Sequence, residues 1–157
     1  MGVKHMNYEK GFTLIEILLV IGILAILLAI TIVAINPARQ FASANNTKRN
    51  SDVSTLLNAI QQYVVDNKGS LPSGMPASAG AQLTIASGAT NADICSSLVS
   101  KYIAALPSDP TSVSGGSPII NCNSYNSGYV ASISATDNRI TISAPNSQLG
   151  ASIGVTR

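Results

Sequence analysis

Histidine is all but missing from this chain. The one imidazole, His5, stands in a short charged stretch at the amino end, so nothing beyond that stretch can build a Ser-His-Asp or Cys-His arrangement or a His-ligated zinc site. Phosphate-cradling loops are missing too, since neither Gly-x-Gly-x-x-Gly nor a Gly-Lys-Ser/Thr sequence occurs. Charge is scarce, at 10% of residues. The acidic groups beyond residue 16 are Asp52, Asp66, Asp93, Asp109 and Asp137, too far apart in sequence to suggest a paired-carboxylate hydrolase. Arg39, Lys48, Arg49, Lys68, Lys101, Arg139 and Arg157 are equally scattered and form no basic stripe for nucleic acid. Aromatic residues make up 4%, with dispersed tyrosines that mark no cofactor pocket. The expectation is a protein that is not an enzyme, with no catalytic residues, no metal site, no cofactor and no specific nucleic-acid site.

One long apolar run is present. Ile17 to Ile35 is uncharged, and about 19 residues at roughly 1.5 Å each just cross a hydrocarbon layer of about 30 Å. Ahead of it, Met1 to Gly11 is polar, with Lys4 and Lys10 against Glu9, which favours a cytoplasmic amino terminus. The order is the reverse of a secretory signal, because the small residue, Gly11, precedes the apolar run instead of following it. Glu16 lies about one turn inside the span, where an ionised group costs several kcal/mol unless paired. Cleavage after Gly11 would create an amine on Phe12, four positions before Glu16 and on the same helix face. The alternative is a single-pass anchor whose glutamate snorkels to the interface and whose Gly11 is an ordinary residue.

The polar leader, the motif Gly11-Phe12-Thr13-Leu14-Ile15-Glu16 and the apolar helix together resemble the bacterial type IV pilin family, which includes the pseudopilins of type II secretion. The resemblance implies that a prepilin peptidase on the cytoplasmic face cuts between Gly11 and Phe12 and methylates the new Phe12 amine. It implies too that Glu16 of an incoming subunit pairs with the Phe12 amine of its neighbour, setting the axial register of a filament. The expected fold class is α+β and pilin-like: a long N-terminal helix, transmembrane then amphipathic, packed on a small antiparallel sheet. The division expected is a leader over 1–11, a filament-core helix over 12–36 and an exported head over 37–157.

Within the head, Asn36-Pro37 predicts a kink or local break, because proline disfavours helix at the residue before it. Val53, Leu56, Leu57, Ile60 and Val64 recur at helical spacing, so residues 38–67 read as an amphipathic helix. Arg39, Lys48 and Arg49 are expected on its solvated face. A strand at Gln82–Ala86 and a short helix over 91–106 follow. A hairpin of Gly128–Ala135 and Arg139–Ala144 turns at Thr136-Asp137-Asn138, and Ile119–Cys122 is expected to add a third strand. Cys95 and Cys122 match neither a redox pair nor a zinc site; on the exported side of a membrane they would form one disulfide, with two buried thiols as the alternative.

Asn50 to Pro72 and Tyr102 to Pro110, with its Leu106-Pro107-Ser108-Asp109-Pro110 turn, are similar to short pilins and major pseudopilins. Two departures stand out: no proline interrupts the span, and Cys122 lies well before the last residues. Asp109 and Asp137 are isolated, so the acidic loop that holds calcium in major pseudopilins is not recognisable. The function this implies is a structural subunit of a type IV pilus. It would reside in the bacterial cytoplasmic membrane and then on the cell surface, serving adhesion, twitching motility or DNA uptake. Its partners would be copies of itself, the prepilin peptidase, the pilus or type II secretion machinery and the membrane. The alternatives are a type II secretion pseudopilin and a membrane-anchored binding protein that never polymerises.

Overall fold

The computed structural model describes residues 11–157. Apart from Gly11, the expected leader, His5 included, lies outside the described residues. The chain divides into two compact units, one up to Gln40 and the other Phe41–Arg157.

In the first unit, helix α1 runs Leu14–Ile35, and not one of its residues is buried. Apart from Glu16 in its first turn, its sequence is Leu, Ile, Val and Ala with one glycine and one threonine, and the Thr31 hydroxyl donates to the Leu28 carbonyl at 2.9 Å, so that polar group stays within the helix. The helix ends at Asn36, whose backbone is left-handed (φ 48°, ψ 79°). Asparagine tolerates that conformation because its short amide bonds locally; here the Asn36 Oδ1 accepts the Arg39 N–H at 3.2 Å. Asn36 therefore closes one helix and caps the next. Pro37, where the kink was placed, is the first residue of α2 (Pro37–Asp66), a position where the missing N–H costs nothing.

The second unit is built on most of α2. Ala42, Arg49, Val53, Leu56, Leu57, Ala59 and Ile60 are its buried residues, spaced to lie along one stripe. The helix closes with the Gly69 N–H donating to the Val64 carbonyl at 2.8 Å while Lys68 sits at φ 56°, the bond pattern of a Schellman cap. The sheet is antiparallel throughout, in the order β1 (Gln82–Ala86), β2 (Asn126–Ile133), β3 (Ile140–Ser143) and β4 (Gly154–Thr156). Ser127, Tyr129, Ala131 and Ile133 alternate inward on β2, as a one-sided sheet requires. With Ile85, Ile94, Leu98, Leu106 and Ile142, Tyr129 and Ala131 join the α2 stripe in one core. The fold is α+β, with the pilin-like order of apolar helix, second helix and small antiparallel sheet.

Three expectations need correction. The helix placed over 91–106 shrinks to α3 (Cys95–Leu98). Ser100 takes φ 72° and its N–H donates to the Ile103 carbonyl at 2.8 Å, so the β-branched Val99 and Ile103 bridge instead of continuing the helix. Ile119–Cys122 is not a sheet strand: Ile119 exchanges both backbone hydrogen bonds with Leu106, at 2.8 and 2.9 Å, in an isolated bridge. The strand that does extend the sheet is β4, paired to β3 through Ile142 and Val155. The hairpin itself is shifted, β2 beginning at Asn126 and the turn widening to residues 134–139.

Candidate functional site

Gly11, Phe12 and Thr13 precede the helix in non-helical chain. Thr13 is the N-cap of α1, with extended backbone (φ −81°, ψ 152°). Its Oγ1 accepts the Glu16 N–H at 3.3 Å, and its carbonyl accepts from the Glu16 and Ile17 N–H groups at 3.1 and 3.3 Å. Thr13-Leu14-Ile15-Glu16 thus has the spacing of a capping box, with Glu16 at the third helical position near the positive end of the helix dipole. Phe12 is 78% exposed and Glu16 is exposed. The structure brings Gly11, Phe12 and Glu16 to one end of α1. Phe12 stands outside the helix, so in the uncut chain it does not share a helix face with Glu16. The physical reason is the threonine, which starts the helix two residues after Phe12.

A second polar centre lies in the head, where no solvated face exists for one of its cations. Arg49 is fully buried and paired with Asp109, also fully buried, through Nε to Oδ2 at 2.7 Å and Nη2 to Oδ1 at 3.1 Å. This overturns one expectation, Arg49 as a solvated residue; Asp109 acquires a cation partner and not a second acid. Thr111 completes the pair: its hydroxyl accepts from Arg49 Nη2 at 2.9 Å, and its N–H and hydroxyl each donate to Asp109 Oδ1 at 2.7 Å. Arg49 Nη1 donates to Asn46 Oδ1 at 3.0 Å, and Asn46 in turn clamps the Gln148 backbone, accepting its N–H at 2.9 Å and donating to its carbonyl at 2.7 Å. One guanidinium therefore ties α2 to the turn at 109–111 and to the loop carrying Gln148. Burial pushes the Asp109 carboxyl up, but the Arg49 guanidinium and the two Thr111 donors outweigh it and the net shift is downward. Lys48 does reach solvent, bonding Asp52 at 2.9 Å, and Asp52 accepts the Tyr129 hydroxyl at 2.6 Å. Desolvation and that carboxylate together push the Tyr129 phenol upward.

Cys95 and Cys122 are joined in a disulfide, with Cα atoms 5.4 Å apart. It links α3 to the segment after the Leu106–Ile119 bridge. Beside it, the Tyr125 hydroxyl accepts the Cys95 N–H at 3.2 Å and donates to Asp93 at 2.9 Å. Among the described residues, no three His, Cys, Asp or Glu side chains gather. The Arg49–Asp109 pair left a faint trace in the sequence. Asp109-Pro110-Thr111 is the spacing of an Asx turn, but nothing local indicates a partner 60 positions upstream.

The model of the prokaryotic N-terminal methylation motif matches residues 6–32. That motif is the class III signal peptide of type IV pilins and pseudopilins, families of structural subunits. It implies processing by a prepilin peptidase, membrane anchoring and entry into pilus or secretion assembly. The match covers Gly11, Phe12, Glu16 and most of α1, and none of the head. No curated protein and no solved structure matches the chain.

Proposed function

We propose that this chain is a structural subunit of a type IV pilus, cut between Gly11 and Phe12, methylated on Phe12 and assembled through α1. The observation that carries the reading is the condition of α1. It has 22 residues, none of them buried, and its first turn holds a carboxylate, Glu16. An apolar helix exposed on every side needs cover on every side, first from lipid and then from copies of itself. Glu16 needs a cation in either setting, and the cut at Gly11–Phe12 supplies one at the same end of the helix. In a filament, pairing Glu16 with the Phe12 amine of a neighbour selects one axial register, since like-charge or unpaired arrangements are penalised in a dry core. The subunit's work is then a change of environment, from lipid to helix bundle, driven by the assembly machinery.

Glu16→Ala tests this. The variant should be cut and inserted in the membrane but yield few or no surface filaments, and filament numbers equal to wild type would refute the pairing.

A secretion pseudopilin carries the same motif. The pilus reading is favoured by the fate of Asp109, whose charge in the Leu106–Pro110 turn is already neutralised by Arg49 and so is not free to join a calcium loop. Electron microscopy of surface fibres in a deletion strain separates the two. Loss of fibres supports the pilus, and intact fibres with impaired secretion support the pseudopilin.

A further inference from the structure

We infer that Thr13 is a positioning residue for processing: by capping α1 it holds the Gly11–Phe12 peptide in non-helical chain, where a peptidase can bind it. The inference rests on the processing reading above. A scissile carbonyl inside an α-helix is already bonded to an N–H four residues on and is wrapped by the next turn, so a peptidase must first unwind it. Here the first helical acceptor is the Thr13 carbonyl, which leaves the carbonyls of Gly11 and Phe12 outside the ladder. Phe12 and Ile17 line one shallow depression with Leu14, Leu18 and Ile21; they occupy the two positions of a hydrophobic staple around the Thr13 cap, which fixes where the chain enters the helix.

The direction of failure follows from the solvent. Without the Thr13 hydroxyl, the Glu16 N–H loses its side-chain acceptor at a depth where little water replaces it. Adding residues at the amino end of the helix relieves this, because the Glu16 N–H would then bond the Phe12 carbonyl and the Ile15 N–H the Gly11 carbonyl. That second bond takes the scissile carbonyl into the helix. Gly11 resists, being a poor helix former, so the effect is a shift in population and not a block. From the usual range for a lost N-cap, Thr13→Val should shift the equilibrium toward the extended helix about 2- to 30-fold and slow cleavage by at most that factor, while Thr13→Ser, which keeps the acceptor, should be cut at nearly the wild-type rate.

The experiment uses full-length precursor in lipid vesicles with purified prepilin peptidase. It reads the cleavage time course, the new amino-terminal residue and amide hydrogen exchange at Ile15 and Glu16 before cutting. Slow cleavage of Thr13→Val with stronger protection at Ile15, and rescue by Thr13→Ser, supports the inference. Equal rates for wild type and Thr13→Val overturn it while leaving the processing reading intact. Slow cleavage without added protection also overturns it, since the hydroxyl would then be read by the peptidase directly. Failure of the wild-type chain to be cut between Gly11 and Phe12 overturns the processing reading itself.

Discussion

Replacing Asp109 with asparagine strands the Arg49 guanidinium in a site with no solvent contact. Both side chains are fully buried, at 0% exposure, and arginine cannot shed its proton to escape. Two charge-assisted bonds, at 2.7 and 3.1 Å, lose their anion. Breaking a buried pair from one side costs about 3–5 kcal/mol. For a head of this size, 1 kcal/mol moves the midpoint by roughly 3–5 °C, so Asp109→Asn should lower Tm by about 10–20 °C. Thermal unfolding in detergent, followed through the near-ultraviolet dichroism of Tyr125 and Tyr129, measures it. Arg49→Met should be comparably damaging at neutral pH but should behave differently in acid. The folded-state pKa of Asp109 lies below its ordinary value, so the pair's contribution is complete above about pH 4 and is lost as the pH falls through the depressed value. Wild type loses that contribution there, whereas the variant's unpaired carboxyl gains by taking a proton, so the gap between them closes. A Tm change under about 3 °C for Asp109→Asn, or a gap for Arg49→Met that stays constant into acid, would refute the reasoning.

The disulfide and one glycine make two further tests. The bridge spans a sequence separation of 27, for which the chain-entropy model gives about 3.5 kcal/mol; reductant or the Cys95→Ser/Cys122→Ser variant should cost the head that much in denaturant unfolding, and an unchanged midpoint would argue against it. Gly128 has φ 77°, and a Cβ there would lie 2.8 Å from the Asp109 Cβ, whereas Gly115, at φ 58°, has nothing within 4 Å of its would-be Cβ. Gly128→Ala should therefore cost about 2–4 kcal/mol and Gly115→Ala only about 1, with equal losses showing that close approach to Asp109 does not matter.

How far the sequence could be read depends on the range of the interactions. The core stripe Val53, Leu56, Leu57 and Ile60 was legible because helical periodicity is written within a few residues, and β1 at Gln82–Ala86 was legible because Gly, Ser and Pro flank it. The end of α1 was nearly legible: proline pointed to the break, but the residue that makes it is Asn36, whose amide caps the following turn. The segment 91–106 misled because its apolar spacing fits a helix, while the φ of 72° at Ser100 and the Leu106–Ile119 bridge follow from long-range packing. β4 was invisible for a similar reason. Three residues starting at a glycine carry almost no period of their own and become a strand only because β3 offers them an edge.

The amino-terminal device belongs to the other extreme. Gly11, Phe12, Thr13 and Glu16 lie within five residues of one another and α1 is apolar apart from Glu16, so the sequence by itself determined the leader-like order, a helix long and apolar enough to cross a membrane and the placement of a carboxylate in its first turn. Tertiary structure decided which charges the head could bury. Arg49 lies amid polar α2 neighbours and reads as solvated; only the folded chain brings Asp109, 60 positions on, to neutralise it and Thr111, 62 positions on, to accept another of its N–H groups. A buried cation needs its whole set of acceptors at once, and no local pattern encodes a set assembled from three distant segments.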